Sequence, residues 1–155
     1  MTTILVTHDK EEALSMADRV ALLIEGQIMQ YDKPNKIYER PANKQVSDFF
    51  GKRNYISGTI KDGSLITKLG VFKTTFKDCK NITFVLRPEE INISNKSYFN
   101  INGIIESKVY LGDKIVYTIK TLNQEIYCCT YGSQNFDLKS EVFINLDFEN
   151  AHFFK

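Results

Sequence analysis

The chain has 155 residues, 43% of them hydrophobic, so its length allows one domain or pieces of two and its apolar share allows a sizeable core. Its 20 Lys and Arg against 19 Asp and Glu give no argument for a phosphate backbone, an anionic membrane or an acidic partner. No run approaches the ~20 apolar residues that span a bilayer, and no signal-peptide pattern opens the chain.

Thr3 to Val6 form an apolar run of strand type, suited to the inside of a parallel sheet, that stops at His8. A helix start follows at once: Asp9 stands three residues before Glu12, a capping-box pattern, and Ala13, Leu14 and Ala17 share one helical face. His8 is therefore held at a strand-to-helix corner, outside the carboxyl end of a strand, where catalytic groups of α/β sheets gather. Val20 to Ile24 read as a buried strand, Glu25-Gly26 as a tight turn, and Gln27 to Tyr31 as its hairpin partner. Pro34 suits the first turn of a helix through Arg40, which Pro41 ends; a further helix runs from Asn43 to Phe50 and stops at Gly51.

Beyond Gly51 the periodicity changes from helical to alternating, which places a domain boundary between Gly51 and Asn54. Asp62-Gly63 predicts a hairpin joining Tyr55–Lys61 to Ser64–Leu69. Further strands are expected at 81–87 (Ile82, Phe84 and Leu86 inward), 103–111 (Ile105, Val109 and Leu111 inward) and 114–120 (Ile115, Tyr117 and Ile119 inward). Two more fall at 125–131 and 141–147, the last with Val142, Ile144 and Leu146 inward. Seven short strands argue for a small barrel or sandwich. Gly58-Thr59-Ile60 and Gly103-Ile104-Ile105 open similar strands, a hint of two related halves. Cys79, Cys128 and Cys129 form no CxxC pair, so zinc is not expected; the thiols read as reduced, small side chains in or beside a core.

The segment Val6-Thr7-His8-Asp9-Lys10-Glu11-Glu12-Ala13-Leu14 with Ala17-Asp18-Arg19 resembles the switch-histidine segment of ABC-transporter ATPases. The likeness runs on through Glu25-Gly26-Gln27-Ile28, the stretch from Pro34 to Asn43, and Phe49-Phe50-Gly51. Leu86-Arg87-Pro88-Glu89-Glu90-Ile91, Tyr110-Leu111-Gly112-Asp113 and the closing 142–147 strand resemble the transport-associated OB module, TOBE, of importers for maltose, polyamines, ferric ion and sulfate. The resemblance implies a mainly β chain. It has a small α/β remnant of the ATPase domain over residues 1–50, followed by an OB-like small β-barrel over residues 52–155.

By the same resemblance His8 is the switch histidine that reaches the γ-phosphate in the full-length parent, which uses ATP and magnesium. No G-x-x-x-x-G-K-[ST] loop, Walker B acidic pair or LSGGQ signature occurs here, so this chain is expected to be no enzyme and to bind no cofactor. The expected role is dimer contact and regulation of solute import. The partners implied are a second copy, through the β module, and membrane permease subunits; the place is the cytoplasmic face of the membrane. The unpaired 3–6 strand also predicts a homodimer, with exchange of N-terminal segments as one form.

Two other readings stay open. The β module could sense a small anion or the solute. Alternatively, Tyr98, Phe99, Tyr110, Tyr117, Tyr127 and Tyr131, interleaved with Lys96, Lys108 and Lys120, could stack single-stranded nucleic acid, although neutral charge argues for no nucleic-acid partner. Glu11-Glu12 and Glu89-Glu90 are expected to point apart rather than form catalytic dyads, and Arg87 either anchors a loop or faces solvent.

Overall fold

The computed structural model describes residues 2–97 and 99–155 and divides them into two compact units, ending and beginning at Gly51 and Lys52. Tyr98, counted above among the candidate stacking rings, lies outside the described residues.

The first unit holds helix α1 (Lys10–Met16), an antiparallel hairpin β1 (Val20–Ile24) and β2 (Gln27–Asp32), and helices α2 (Pro34–Glu39) and α3 (Lys44–Phe49). Asn43 caps α3, its Oδ1 accepting from the Val46 amide at 3.0 Å, so it precedes the helix rather than opening it. Glu25 and Gly26 both have left-handed φ, 51° and 78°, the turn whose twist matches the flanking strands. The Gln30 amide ties down the Pro41 connection by donating to the Arg40 carbonyl and accepting from the Ala42 N–H.

Two expectations fail in this unit. Residues 2–7 pair with no strand among the described residues, and Ile4 and Val6 are almost wholly exposed, because an apolar run becomes a strand only where a neighbour takes its backbone groups. Of the expected buried strand only Leu22 is buried, against Ile37 and Val46. Leu23 and its cross-strand partner Ile28 face outward, at 62% and 64% exposure, since the helices cover one face of the hairpin alone.

The second unit is all strand apart from one 3-10 turn at Pro88–Glu90. Its strands are β3 (Asn54–Lys61), β4 (Ser64–Thr67), β5 (Gly70–Lys73), β6 (Cys79–Leu86), β7 (Asn92–Ser94), β8 (Ile101–Tyr110), β9 (Lys114–Lys120), β10 (Glu125–Tyr131), β11 (Glu141–Asn145) and β12 (His152–Phe154). They form two five-stranded antiparallel sheets, ordered β5-β4-β3-β6-β12 and β10-β9-β8-β11-β7. The mainly β architecture expected from the alternation, and the OB-like module implied by the resemblance, are present. Strands β5, β7 and β12 were not expected, since three or four residues are too short to display an alternation.

The sheet orders reveal a duplication. Advancing every strand number by five turns β5-β4-β3-β6 into β10-β9-β8-β11, while the fifth strands are exchanged: β7 of the first half completes the second sheet and β12 of the second half completes the first. The register repeats as well. Thr83, Phe84 and Val85 pair with Phe154, Phe153 and His152, and sixty residues on Phe143, Ile144 and Asn145 pair with Ser94, Ile93 and Asn92. Gly58 faces Ile82 across β3 and β6, as Gly103 faces Val142 across β8 and β11. Both glycines are required by close approach: a Cβ at Gly58 would lie 2.5 Å from the Ile66 carbonyl oxygen, and one at Gly103 would lie 2.6 Å from Ile119 Cγ2.

One core fills the space between the sheets, with Ile56, Ile60 and Phe84 from the first half and Ile105, Tyr117, Ile119 and Ile144 from the second. Val109 and Leu111, expected inward, are instead half exposed. A bulge between Ile105 and Ser107 shifts the register of β8 by one residue and sends the later odd positions to the outer face.

Candidate functional site

His8 is exposed and stands next to Asp9, the N-cap of α1. The Asp9 carboxylate accepts from the amides of Glu11 and Glu12 at 2.8 and 3.1 Å. These are the helix-start N–H groups that an anion would otherwise use. With Glu11 and Glu12 adding negative charge beside it, this corner does not by itself fit a triphosphate. Among the described residues no cluster of His, Cys, Asp and Glu has the makings of a metal site, and no helix is long and apolar enough to cross a membrane.

The Arg87-Pro88-Glu89-Glu90 element is a charged knot. Arg87 Nη2 donates to Glu90 Oε1 at 2.7 Å, the Arg87 backbone N–H donates to Glu90 Oε2 at 2.6 Å, and Arg87 Nε lies 3.8 Å from Glu89 Oε1. Of the two roles open to Arg87, the loop anchor is the one observed. Glu89 and Glu90 do not point apart as residues of a strand would; on a 3-10 turn both reach the same guanidinium, Glu90 closely and Glu89 at 3.8 Å, which offsets one of their two charges. The turn passes the chain from β6 in the first sheet to β7 in the second.

A second polar device was not recognised in the sequence. Asn54 is buried at the start of β3, where its Nδ2 donates to the Tyr127 carbonyl at 2.8 Å and its Oδ1 accepts from the Tyr127 amide at 2.7 Å. The carboxamide thereby acts as one more backbone unit against edge strand β10, closing the second sheet on the first. Its signal was available: Asn54 occupies an inward position of the alternation that continues at Ile56.

Of the candidate stacking rings, Tyr117 is fully buried, and its hydroxyl oxygen accepts from the Phe136 amide at 3.1 Å. Tyr110 and Tyr131 are exposed, while Tyr127 is partly buried with its hydroxyl on Glu125. Cys128 is buried with its thiol donating to the Ile91 carbonyl, and burial, then the neighbouring Cys129, pushes its pKa up to about 12. That keeps it a thiol and rules it out as a nucleophile at neutral pH.

Comparison with known proteins agrees with this geometry. Residues 84–154 match the TOBE domain family. Along 98% of the chain there is 32% identity to a spermidine/putrescine import ATP-binding protein of Onion yellows phytoplasma, of which 37% is covered. A protein of the same description from Pseudomonas aeruginosa is 37% identical over 77% of the chain and 35% of its own length. An Fe(3+) ions import ATP-binding protein of Fusobacterium nucleatum is 36% identical over 72% of the chain and 32% of its own length. The chain thus spans about a third of the length of the curated relatives it matches. It belongs with the ATP-binding subunits of ABC importers, corresponding to their C-terminal, TOBE-bearing region.

Proposed function

We propose that residues 1–50 are the tail of a nucleotide-binding domain and that residues 52–155 are a TOBE module serving dimer contact and regulation in an ABC importer. The observation that carries this is the succession itself. A histidine stands beside a capped helix and a covered hairpin in one compact unit, and a duplicated OB-like module follows in the next. In the longer protein His8 contacts the γ-phosphate of ATP, magnesium accompanies the nucleotide, and permease subunits hold the assembly at the cytoplasmic face of the membrane. The relatives' names specify polyamines in some cases and ferric ion in another, so the solute is chosen outside this region.

His8→Ala in the longer protein tests the assignment: ATP should still bind while hydrolysis falls at least about a hundredfold, the scale of a lost transition-state contact. Wild-type turnover would refute it. The 155-residue chain alone should give no saturable magnesium-ATP binding by calorimetry, because the α1 amides are already committed to Asp9.

A sensing role has one specific observation behind it. A shallow groove of about 290 Å³ on the outer face of the first sheet is lined by Ser57, Asn81, Thr83 and Lys155, with the Ser57 and Thr83 hydroxyls 2.9 Å apart. Thermal-shift measurements with sulfate, phosphate, molybdate and spermidine separate the readings: a shift with one of them supports sensing, and no shift with any removes it.

A further inference from the structure

His8 stands between two side chains that are both spent on backbone. On one side the Thr7 hydroxyl accepts from the Asp9 N–H at 3.0 Å, closing a short turn over the histidine. On the other the Asp9 carboxylate holds the Glu11 and Glu12 amides, while the Asp9 carbonyl accepts from the Ala13 N–H at 3.1 Å as the first bond of α1. Asp9 takes the extended conformation of an N-cap, φ −83° and ψ 118°, so the backbone on both flanks of His8 is fixed by local bonds. The start of α1 is fastened in turn to the rest of its unit, where the Lys10 ammonium lies 4.9 Å from the centroid of the Phe49 ring in α3.

The imidazole is treated differently. It is exposed, and among the described residues it has no hydrogen bond or ion pair. A carboxylate left loose beside a histidine attracts the ring and holds it protonated against the protein. Here both amide bonds turn Asp9 Oδ1 to the helix instead, and the Thr7 hydroxyl is occupied as well. Both ring nitrogens are left for an incoming group.

We propose that Thr7 and Asp9 are positioning residues for His8, fixing the backbone that carries the imidazole and keeping the ring uncommitted until it meets the terminal phosphate. Their role depends on His8 being the γ-phosphate contact proposed above. Phosphoryl transfer is accelerated by groups already in place, because a donor that must be oriented during the reaction loses rate. Asp9 acts through its geometry and not its charge. An Asn Oδ1 can accept the same two amides, and a Ser hydroxyl can accept from the Asp9 N–H, whereas Ala and Val side chains can do neither.

Steady-state ATP hydrolysis by the longer protein tests this, comparing wild type with T7V, T7S, D9A, D9N, H8A, H8A/D9A and S15G. The last weakens α1 at an exposed position away from the histidine. In D9A and T7V kcat should fall at least about tenfold with the KM for ATP unchanged, the signature of a displaced transition-state contact. D9N and T7S, which keep the acceptors, should stay within about twofold of wild type. H8A/D9A should be no slower than H8A, since Asp9 acts only through the ring, and S15G should match wild type. Wild-type kcat in D9A and T7V, a further loss in H8A/D9A beyond H8A, or a loss in S15G equal to that in D9A would each overturn the positioning role while leaving His8 as the phosphate contact. Wild-type turnover in H8A would overturn both.

Discussion

The two halves of the β module share a frame and differ in how they are finished. Both run strand, hairpin, edge strand, return strand, a single turn and a short strand delivered to the other sheet. Even the turns between edge strands match: the Thr67 hydroxyl donates to the Gly70 carbonyl and the Thr121 hydroxyl to the Gln124 carbonyl. The interiors diverge. The first half contributes an aromatic cluster of Phe72, Phe76 and Phe84, joined by Phe148 and Phe153 at ring separations from 4.9 to 5.8 Å, while the second is filled mainly by Ile and Val around Tyr117. Strand pairing and the two tight glycines therefore define the architecture, and residue identity within the core is interchangeable provided volume is kept.

The glycines give the sharpest way to break the equivalence. Gly58→Ala and Gly103→Ala should be the most destabilising, by ~3 kcal/mol or more at Gly58 and ~2 kcal/mol at Gly103, measured by urea unfolding. Gly58 is the costlier because its closest neighbour is backbone, whereas the closest at Gly103 is the methyl end of Ile119. An innocuous change at either would end the claim that close approach dictates both.

Asn54 sharpens the contrast, because the residue forty-five positions later is Phe99, which cannot copy the clamp. Asn54→Ala should cost ~2 kcal/mol, from leaving two partly buried backbone groups of Tyr127 unpaired, and should speed amide exchange at Tyr127 selectively. Uniform exchange along β10 would count against the clamp.

Cys128, on strand β10 of the second half, predicts an alkaline effect. Its folded pKa is raised, so the stability it contributes is fully present below the ordinary thiol value of 9.0 and is lost as pH rises toward about 12. Cys128→Ala should flatten the decline of urea-unfolding stability over that window, while an unchanged slope would refute the burial argument. The smallest effect is expected in the other unit. Ser47 Oγ is buried with no hydrogen-bond partner among the described residues, so Ser47→Ala should be neutral or stabilising by up to ~1 kcal/mol, read from Tm.

Where local chemistry decided the outcome, the sequence was readable. Asp9, Glu25-Gly26, Pro34 and Asp62-Gly63 act through their own backbone neighbours, and the helix and hairpins they specify are present. The inward sets of β9 and β11 were equally clear, being strict alternations with one buried face, and that of β6 was clear as well, although Val85 on its other face is also buried. What stayed hidden depends on partners distant in sequence. The bulge in β8 is set by pairing with β9, the strand character of 152–154 by pairing with β6, and the exposure of residues 2–7 by the lack of a pairing strand among the described residues. The motif around His8 was legible as a likeness, but the commitment of its helix amides to Asp9 emerged only from geometry.

The exchange of fifth strands sets the order in which the module can be completed. Strand β6 lies beside β3 early in the chain, yet its outer edge waits for His152–Phe154, about seventy residues further on. During synthesis the first sheet must therefore persist with an open flank until β12 leaves the ribosome. Contacts of such long sequence separation slow folding, and an open flank invites pairing with the wrong chain. Once β7 and β12 are both in place, neither sheet can come apart without taking a strand from the other, so the two halves should melt as one.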